Sequence, residues 1–317
     1  MNLRFEGGRD ARVLVIGASG LDVIGRIETA LQPGTSNPAH IRTSMGGSAR
    51  NVAENLARLG QPVSLISAVG SDRAGREILA QAKASGIHTS AFVRSQALPT
   101  GFYMGVLNPQ GGLEFAVDDM RVISEITPEY LEAQLKVLDQ VGAIFVDTNL
   151  PDASLKFITD IGTERGIPIC ADPTSSSLAI KLLPYLPRIS LLTPNASEAG
   201  VLTGKLFRAS DAKAATTAAR HLVTLGVGMV LITLAEFGVV YATAETSGHI
   251  PAIRTPINDP TGAGDALTAT IIFALLNGIP LDDAIRLGVS AASITLRTIG
   301  AVAPQLSLEQ LYDQLLP

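Results

Sequence analysis

The residues best suited to chemistry stand at Asn258-Asp259-Pro-Thr261-Gly262-Ala263-Gly264-Asp265, ahead of a mostly apolar run to Leu276 and a stop at Gly278. A glycine-rich turn opening a helix brings free backbone N–H groups and the positive end of the helix dipole to one place. A phosphate or a developing anion is stabilised there. Asp265 falls on the first helical turn. An aspartate at that position also steadies a helix with no ligand, by roughly 0.3–1 kcal/mol, so Asp265 alone decides nothing. Two other glycine-rich nucleotide loops are excluded. No Gly-Lys-Ser or Gly-Lys-Thr occurs, and Gly262-Ala263-Gly264 lacks the third glycine of a dinucleotide turn.

Such a loop needs a rigid scaffold, and the chain supplies one. Near-continuous apolar runs at 13–16, 63–66, 143–146, 167–170, 189–192 and 229–232 read as buried strands. Between them, 51–59, 75–84, 128–138, 153–164 and 212–225 carry helical spacing. Alternation of this kind predicts an α/β fold: a doubly wound, mainly parallel sheet sandwiched by helices, in one domain over 1–317. Two stretches break the alternation, about 22–44 and 100–118, the second with Gly111-Gly112 between alternating runs as in a hairpin. They read as strands of a small β-sheet lid inserted in the chain or as a pair of ordinary surface hairpins.

Composition narrows the function classes. Hydrophobic residues make up 46% and charged residues 17%, enough apolar material for a sizeable core. The net charge of −5, without any Lys/Arg block, argues against nucleic acid as a partner. The opening ten residues lack an apolar signal core, and no apolar run is long enough to span a bilayer, so a soluble cytoplasmic protein is expected. Cys170, the sole cysteine, sits in an apolar run and reads as a small buried hydrophobe.

From about Val13 to Ala303 the sequence resembles the ribokinase-like (PfkB) kinases, whose C-terminal signature has the form D-[TP]-x-G-A-G-D. Further motifs follow the family order: Gly17-Ala-Ser-Gly-Leu-Asp22, Gly46-Gly47-Ser-Ala-Arg-Asn51, Thr193-Pro-Asn195-Ala-Ser-Glu198, and Thr233-Leu-Ala-Glu-Phe-Gly238. The resemblance implies an ATP-dependent kinase acting on a hydroxymethyl group. Asp265 would be the base, with the N–H groups of Gly262, Ala263, Gly264 and Asp265 as the anion hole. It further implies that Asp22, Gly46, Gly47 and Asn51 bind acceptor hydroxyls, that Asn195 and Glu198 position Mg²⁺, and that Asn195, Thr233, Gly238, Gly262 and Gly264 serve the nucleotide. Asp259 and the Thr261 carbonyl resemble the family's monovalent-cation site, for K⁺. A lid of this kind can be buttressed by a second copy, giving a homodimer. Two residues depart from the pattern: Ala235 and Thr270 stand where glycine is usual.

Within the family, several segments resemble pseudouridine kinases: Ser36-Asn37-Pro38, the run from Gly46 to Gly60, Ala116-Val-Asp-Asp-Met120, Asp147-Thr-Asn149, Ala171-Asp172-Pro-Thr-Ser175 and Gly264-Asp265-Ala-Leu267. They imply a nucleoside acceptor, with Asn149 reading a hydroxyl or base edge. Phe102, Tyr103, Met104 and Phe115, in the lid strands, would face the base. Two alternatives stay open: a kinase for a free sugar such as ribose or fructose, and a non-catalytic ligand-binding homologue, against which the intact Gly264-Asp265 pair argues.

Overall fold

The computed structural model describes residue 5 and residues 7–315; the rest of the opening segment considered above, residues 1–4 and 6, lies outside them. Eight strands form the main sheet, in the spatial order Ser247–Ile250, Val239–Thr243, Met229–Thr233, Leu191–Leu192, Ile169–Asp172, Val141–Asp147, Arg12–Ile16, Val63–Ile66. Every pairing from Met229–Thr233 to Val63–Ile66 is parallel, and the two at the other edge are antiparallel.

Period-two alternation along each strand divides the core between the two faces of the sheet. Val13, Val15, Phe145 and Leu231 pack with helices Ser48–Arg58, Ala263–Leu276 and Leu281–Leu296. Leu14, Ile16, Val146 and Ile232 pack with Asp152–Glu164, Ala196–Thr203 and Ala212–Thr224 on the other face. Both faces are covered, which is why the strands read as unbroken apolar runs. Cys170 is fully buried, and burial pushes its thiol pKa up. Among the described residues no helix is long and apolar enough to cross a membrane.

Three elements differ from the sequence reading. The strand expected at 167–170 begins at Ile169, because Pro168 has no N–H for the ladder and contributes only its carbonyl, to Ile144. The strand expected at 189–192 shrinks to Leu191–Leu192, since 3-10 turns with Pro184 and Pro187 run up to Arg188. The helix expected over 128–138 ends at Ala133 and gives way to a 3-10 turn at Leu135–Leu138.

A second, four-stranded sheet has the order Ala39–Gly46, Gly20–Ile27, Gly101–Leu107, Leu113–Asp119. Its hairpin closes on Asn108, whose side-chain oxygen accepts from the N–H groups of Gln110 and Gly112 at 3.0 and 2.8 Å. The strand Ala39–Gly46 runs directly into Gly47, the N-cap of helix Ser48–Arg58, so this sheet is tied to the main domain beside the site.

Ala235 lies in the left-handed region at φ 52°, in the tight turn closed by the Leu234 N–H to Gly238 carbonyl bond at 2.8 Å. A side chain there costs about 1–2 kcal/mol, which explains glycine as the usual occupant. Ala235→Gly relieves that strain and returns part of the gain as unfolded-chain entropy. A net stabilisation of about 0.5–1 kcal/mol is expected, read as a rise of a few degrees in melting temperature.

Candidate active site

The carboxyl ends of the main strands and the inner face of the second sheet enclose a cavity of about 580 Å³, lined by Asp22, Asn51, Tyr103, Asn149 and Asp265 among others. Open α/β sheets bind ligands at this edge, where loops leave successive strands in opposite directions.

Helix Ala263–Leu276 begins at Gly262, whose φ of 79° is left-handed and whose missing Cβ would fall on the Ala301 carbonyl. The first helical bond runs from the Ala266 N–H to the Gly262 carbonyl at 2.9 Å, leaving the N–H groups of Ala263, Gly264 and Asp265 ahead of the ladder. A Cβ on Gly264 would meet nothing within 4 Å. Glycine there is not demanded by packing; it keeps the helix mouth open to an approaching ligand.

Asp265 is held by a chain of hydrogen bonds. Asn51 Nδ2 donates to Asp265 Oδ2 at 2.8 Å, and Arg50 Nη1 donates to Asn51 Oδ1 at 2.8 Å. The guanidinium thereby fixes which way the amide points. Arg50 is only 4% exposed and is itself anchored by Glu54 and Gln81. Burial raises the Asp265 carboxyl to about 7; the Asn51 bond pulls it back, while Asp147 and Asp22 push it further up. Burial likewise raises Asp22 to about 6, against the pull of Arg50. Asp22 is 6% exposed, and a Cβ on Gly46 would collide with its carboxylate. The two carboxyls titrating near neutrality therefore face one cavity.

Two carboxylates with no role assigned from sequence stand beneath them. Asp147 ends a buried strand and accepts the N–H groups of Ala18, Ala49 and Asn149 at 2.7, 3.1 and 3.0 Å, and the Asn149 amide at 3.1 Å. Burial still raises it. Asp172 ends the adjacent strand in register with Asp147, and its pKa lies well above the ordinary range through burial and then the charges of Glu198 and Asp265. The available signal was an aspartate closing a wholly apolar run, at 143–147 and again at 169–172.

Asn195, Glu198, Thr233 and Gly238 do not line the cavity; they sit along the neighbouring strand ends. Asn195 and Glu198 form a reciprocal capping box, at 3.0 and 2.8 Å, and Asn195 bridges to Thr233. Burial raises the Glu198 carboxyl, and its charge adds to the burial that raises Asp172. Two mutually repelling carboxylates fit a divalent cation. Mg²⁺ keeps water and phosphate ligands and needs only one or two protein carboxylates, so a donor set this sparse could serve it. The residues at Asp259 do not fit a monovalent cation: Arg42 Nη2 already pairs with Asp259 Oδ1 at 2.8 Å. Thr270 is fully buried inside its helix.

The lid aromatics need correction. Tyr103 pairs with Asp118 on the cavity side, whereas Phe102, Met104 and Phe115 alternate to the opposite face, where Met104 and Phe115 are exposed. Ile24, Leu107 and Leu113 supply the apolar wall instead.

The family model for pfkB family carbohydrate kinases matches residues 10–307. The chain belongs to this family. It is 31% identical to the pseudouridine kinase of Escherichia coli over 299 residues, covering 93% of this chain and 94% of that one. To the ribokinase of Haemophilus influenzae it is 27% identical over 290 residues, covering 90% and 92%. An Arabidopsis thaliana ribokinase structure, complexed with ribose and ATP, superposes with a TM-score of 0.81 at 23% identity, covering 96% of this chain and 99% of that one. The chain is thus an ATP-dependent phosphotransferase with an alcohol acceptor, on a ribokinase-like fold.

Replacing Asp265 by Asn should lower kcat by roughly 10²–10⁴-fold, the usual contribution of a general base. In the wild type, kcat/KM should rise with pH and level off above about 7, as the carboxyl deprotonates. Stability moves the other way. Between its ordinary value of 3.8 and about 7, native Asp265 holds a proton that the unfolded chain has released, so its contribution to stability falls across that window as pH rises. Asp265→Asn should therefore melt higher than wild type at pH 8 and show no such gain below pH 4. Wild-type kcat in the variant would remove Asp265 from the chemistry.

Proposed function

We propose that this kinase phosphorylates the 5′-hydroxyl of pseudouridine, with ATP as donor and Mg²⁺ as the metal. The observation that carries the reading is the build of the cavity: a polar floor of Asp22, Asn51, Asn149 and Asp265, and an apolar wall of Ile24, Leu107 and Leu113 with Tyr103 beside it. A free sugar would use the floor and leave the wall idle; a nucleoside uses both. Similarity to the E. coli pseudouridine kinase over nearly the whole chain supports the same choice.

In this mechanism the ribosyl hydroxyls bind Asp22, Asn51 and Asn149, with Gly46 and Gly47 allowing close approach. The 5′-hydroxyl is thereby directed at Asp265, which takes its proton as the phosphoryl group transfers. The N–H groups of Gly262, Ala263, Gly264 and Asp265 hold the developing negative charge at the helix mouth. Thr233 and Gly238 line the path of the nucleotide. Asn195 and Glu198, with Asp172, would hold Mg²⁺ through water, and the ion when bound neutralises phosphate charge. Asp118 faces the wall as a hydrogen-bond acceptor. Pseudouridine offers it one ring N–H more than uridine does.

The deciding measurement is kcat/KM for pseudouridine, uridine, ribose and fructose with purified enzyme and ATP, and pseudouridine should lead. A free sugar ahead of it by about tenfold, near 1.4 kcal/mol, would move the acceptor to the sugars and leave the kinase assignment standing. Asp22→Ala should raise the acceptor KM by roughly ten- to a hundredfold, since ligand hydroxyls lose a buried partner worth about 1–3 kcal/mol. ATP binding should stay unchanged, and an equal loss for ATP would place Asp22 elsewhere.

Glu198→Gln keeps the capping box, because an amide oxygen can still accept from the Asn195 N–H, but removes the charge. The variant should need more Mg²⁺ for half-maximal rate and recover part of its activity at high Mg²⁺. An unchanged metal titration would leave Glu198 as a helix cap alone.

A further inference from the structure

Asp259 is 1% exposed, and both its oxygens are engaged: Oδ1 accepts the Arg42 guanidinium at 2.8 Å and the Thr261 N–H at 3.0 Å, and Oδ2 accepts the Gly300 N–H at 3.0 Å. The carboxylate fixes the start of the turn that ends in Gly262, Ala263 and Gly264. It also ties that turn to the segment holding Ala301, whose carbonyl occupies the space a Gly262 side chain would need. The positive charge that balances this buried carboxylate comes from the other sheet: Arg42 lies on Ala39–Gly46, paired with Ile24 and four residues before Gly46. About 30% of the Arg42 side chain stays exposed and its Nε has no hydrogen-bond partner, so among the described residues the pair with Asp259 is the polar contact that holds the guanidinium.

We propose that Arg42 is a built-in replacement for a monovalent cation: it positions Asp259 and, through it, the anion-hole turn, so that turnover needs no K⁺. A buried carboxylate requires a counter-charge. An ion supplies one at a concentration-dependent occupancy, whereas a guanidinium on the chain is always present, and its charge repels a second cation from the same spot. Because Arg42 and Gly46 share one strand, which runs directly into Gly47, the acceptor sheet and the anion hole are held in a single geometry. The inference rests on reading residues 262–265 as the anion hole.

The test compares wild type, Arg42→Ala and Arg42→Lys in KCl, NaCl and choline chloride at equal ionic strength. It reads melting temperature, and kcat and KM on whichever acceptor the substrate panel identifies. Wild type should be indifferent to the choice of cation in both readouts. Arg42→Ala should lose at least about tenfold in kcat, as expected when a buried carboxylate is left without its counter-charge. It should regain part of that loss, and melt higher, in KCl than in choline chloride. Arg42→Lys should keep more activity than Arg42→Ala and remain indifferent to K⁺. Activation or stabilisation of the wild type by K⁺ would overturn the proposal, as would wild-type kcat in Arg42→Ala or a loss there that K⁺ leaves untouched. Should Arg42→Ala not fold, the wild-type and Arg42→Lys series decide: indifference in both upholds the proposal and K⁺ activation of the wild type overturns it. Absence of turnover on every acceptor would sink the kinase reading, and the melting series would then judge Arg42 by itself.

Discussion

The chain must hold a crowd of carboxylates at one end of a single sheet, and most of the site follows from how each is balanced. Asp147 is satisfied by four hydrogen bonds, three of them from backbone N–H groups. Asp259 has a guanidinium, and Glu198 is tied into the end of its own helix. Asp22 and Asp265 share the more distant field of Arg50, and neither has an ion partner of its own among the described residues. Their carboxyls consequently rise to about 6 and about 7. A base is most effective when its pKa lies near the working pH, because it is then free often enough and basic enough. The imbalance that costs stability at Asp265 is the same imbalance that would suit it to the proposed role of base.

Two helices point their N-termini at the cavity, and the sequence equips them differently. In Ser48–Arg58 the mouth is filled from within: the Ala49 N–H goes to Asp147 and the Arg50 N–H to the Ala18 carbonyl. In Ala263–Leu276 the N–H groups of Ala263, Gly264 and Asp265 meet no protein acceptor among the described residues. The first helix has already used its dipole to steady a buried carboxylate, and the second keeps its dipole for a ligand. In the proposed mechanism this difference separates a helix that presents Asn51 to the acceptor from one suited to hold transferring negative charge.

Much of the scaffold was legible because both faces of the sheet are covered, and strands buried on both sides announce themselves as apolar runs. The loop at 259–265 was legible because its glycines and acids are contiguous. What escaped was whatever depends on registering distant segments. Asp147 and Asp172 become neighbours only through the pairing of two strands, although each closes an apolar run in plain view. Arg42 is one arginine in a lid strand, and nothing local connects it to Asp259. The lid aromatics were assigned to the wrong face because parity within a strand has no meaning until the strand is placed over the site. Tyr103 then turns inward while Phe102 and Met104 turn away, and a bulge at Val106/Leu107 resets the alternation so that Leu113 joins the inner wall.

Gly46 and Gly264 show how structure separates two causes that look alike in sequence. At Gly46 the absent side chain is required by the protein itself, since the Asp22 carboxylate fills the position a Cβ would take. Substitution there would displace Asp22 from the cavity, so loss of function would follow from damage to the pocket. At Gly264 no protein atom lies near the would-be Cβ and the backbone has no positive φ, so neither packing nor strain accounts for the residue. Glycine in the first turn of a helix is otherwise unfavourable by about 1 kcal/mol relative to alanine. A residue that costs stability and relieves no clash is explained by what must come close to it from outside. At the open N-terminus of a long helix, beside a carboxyl titrating near neutrality, the proposed reaction supplies such a visitor: a phosphate together with a hydroxyl that gives up its proton.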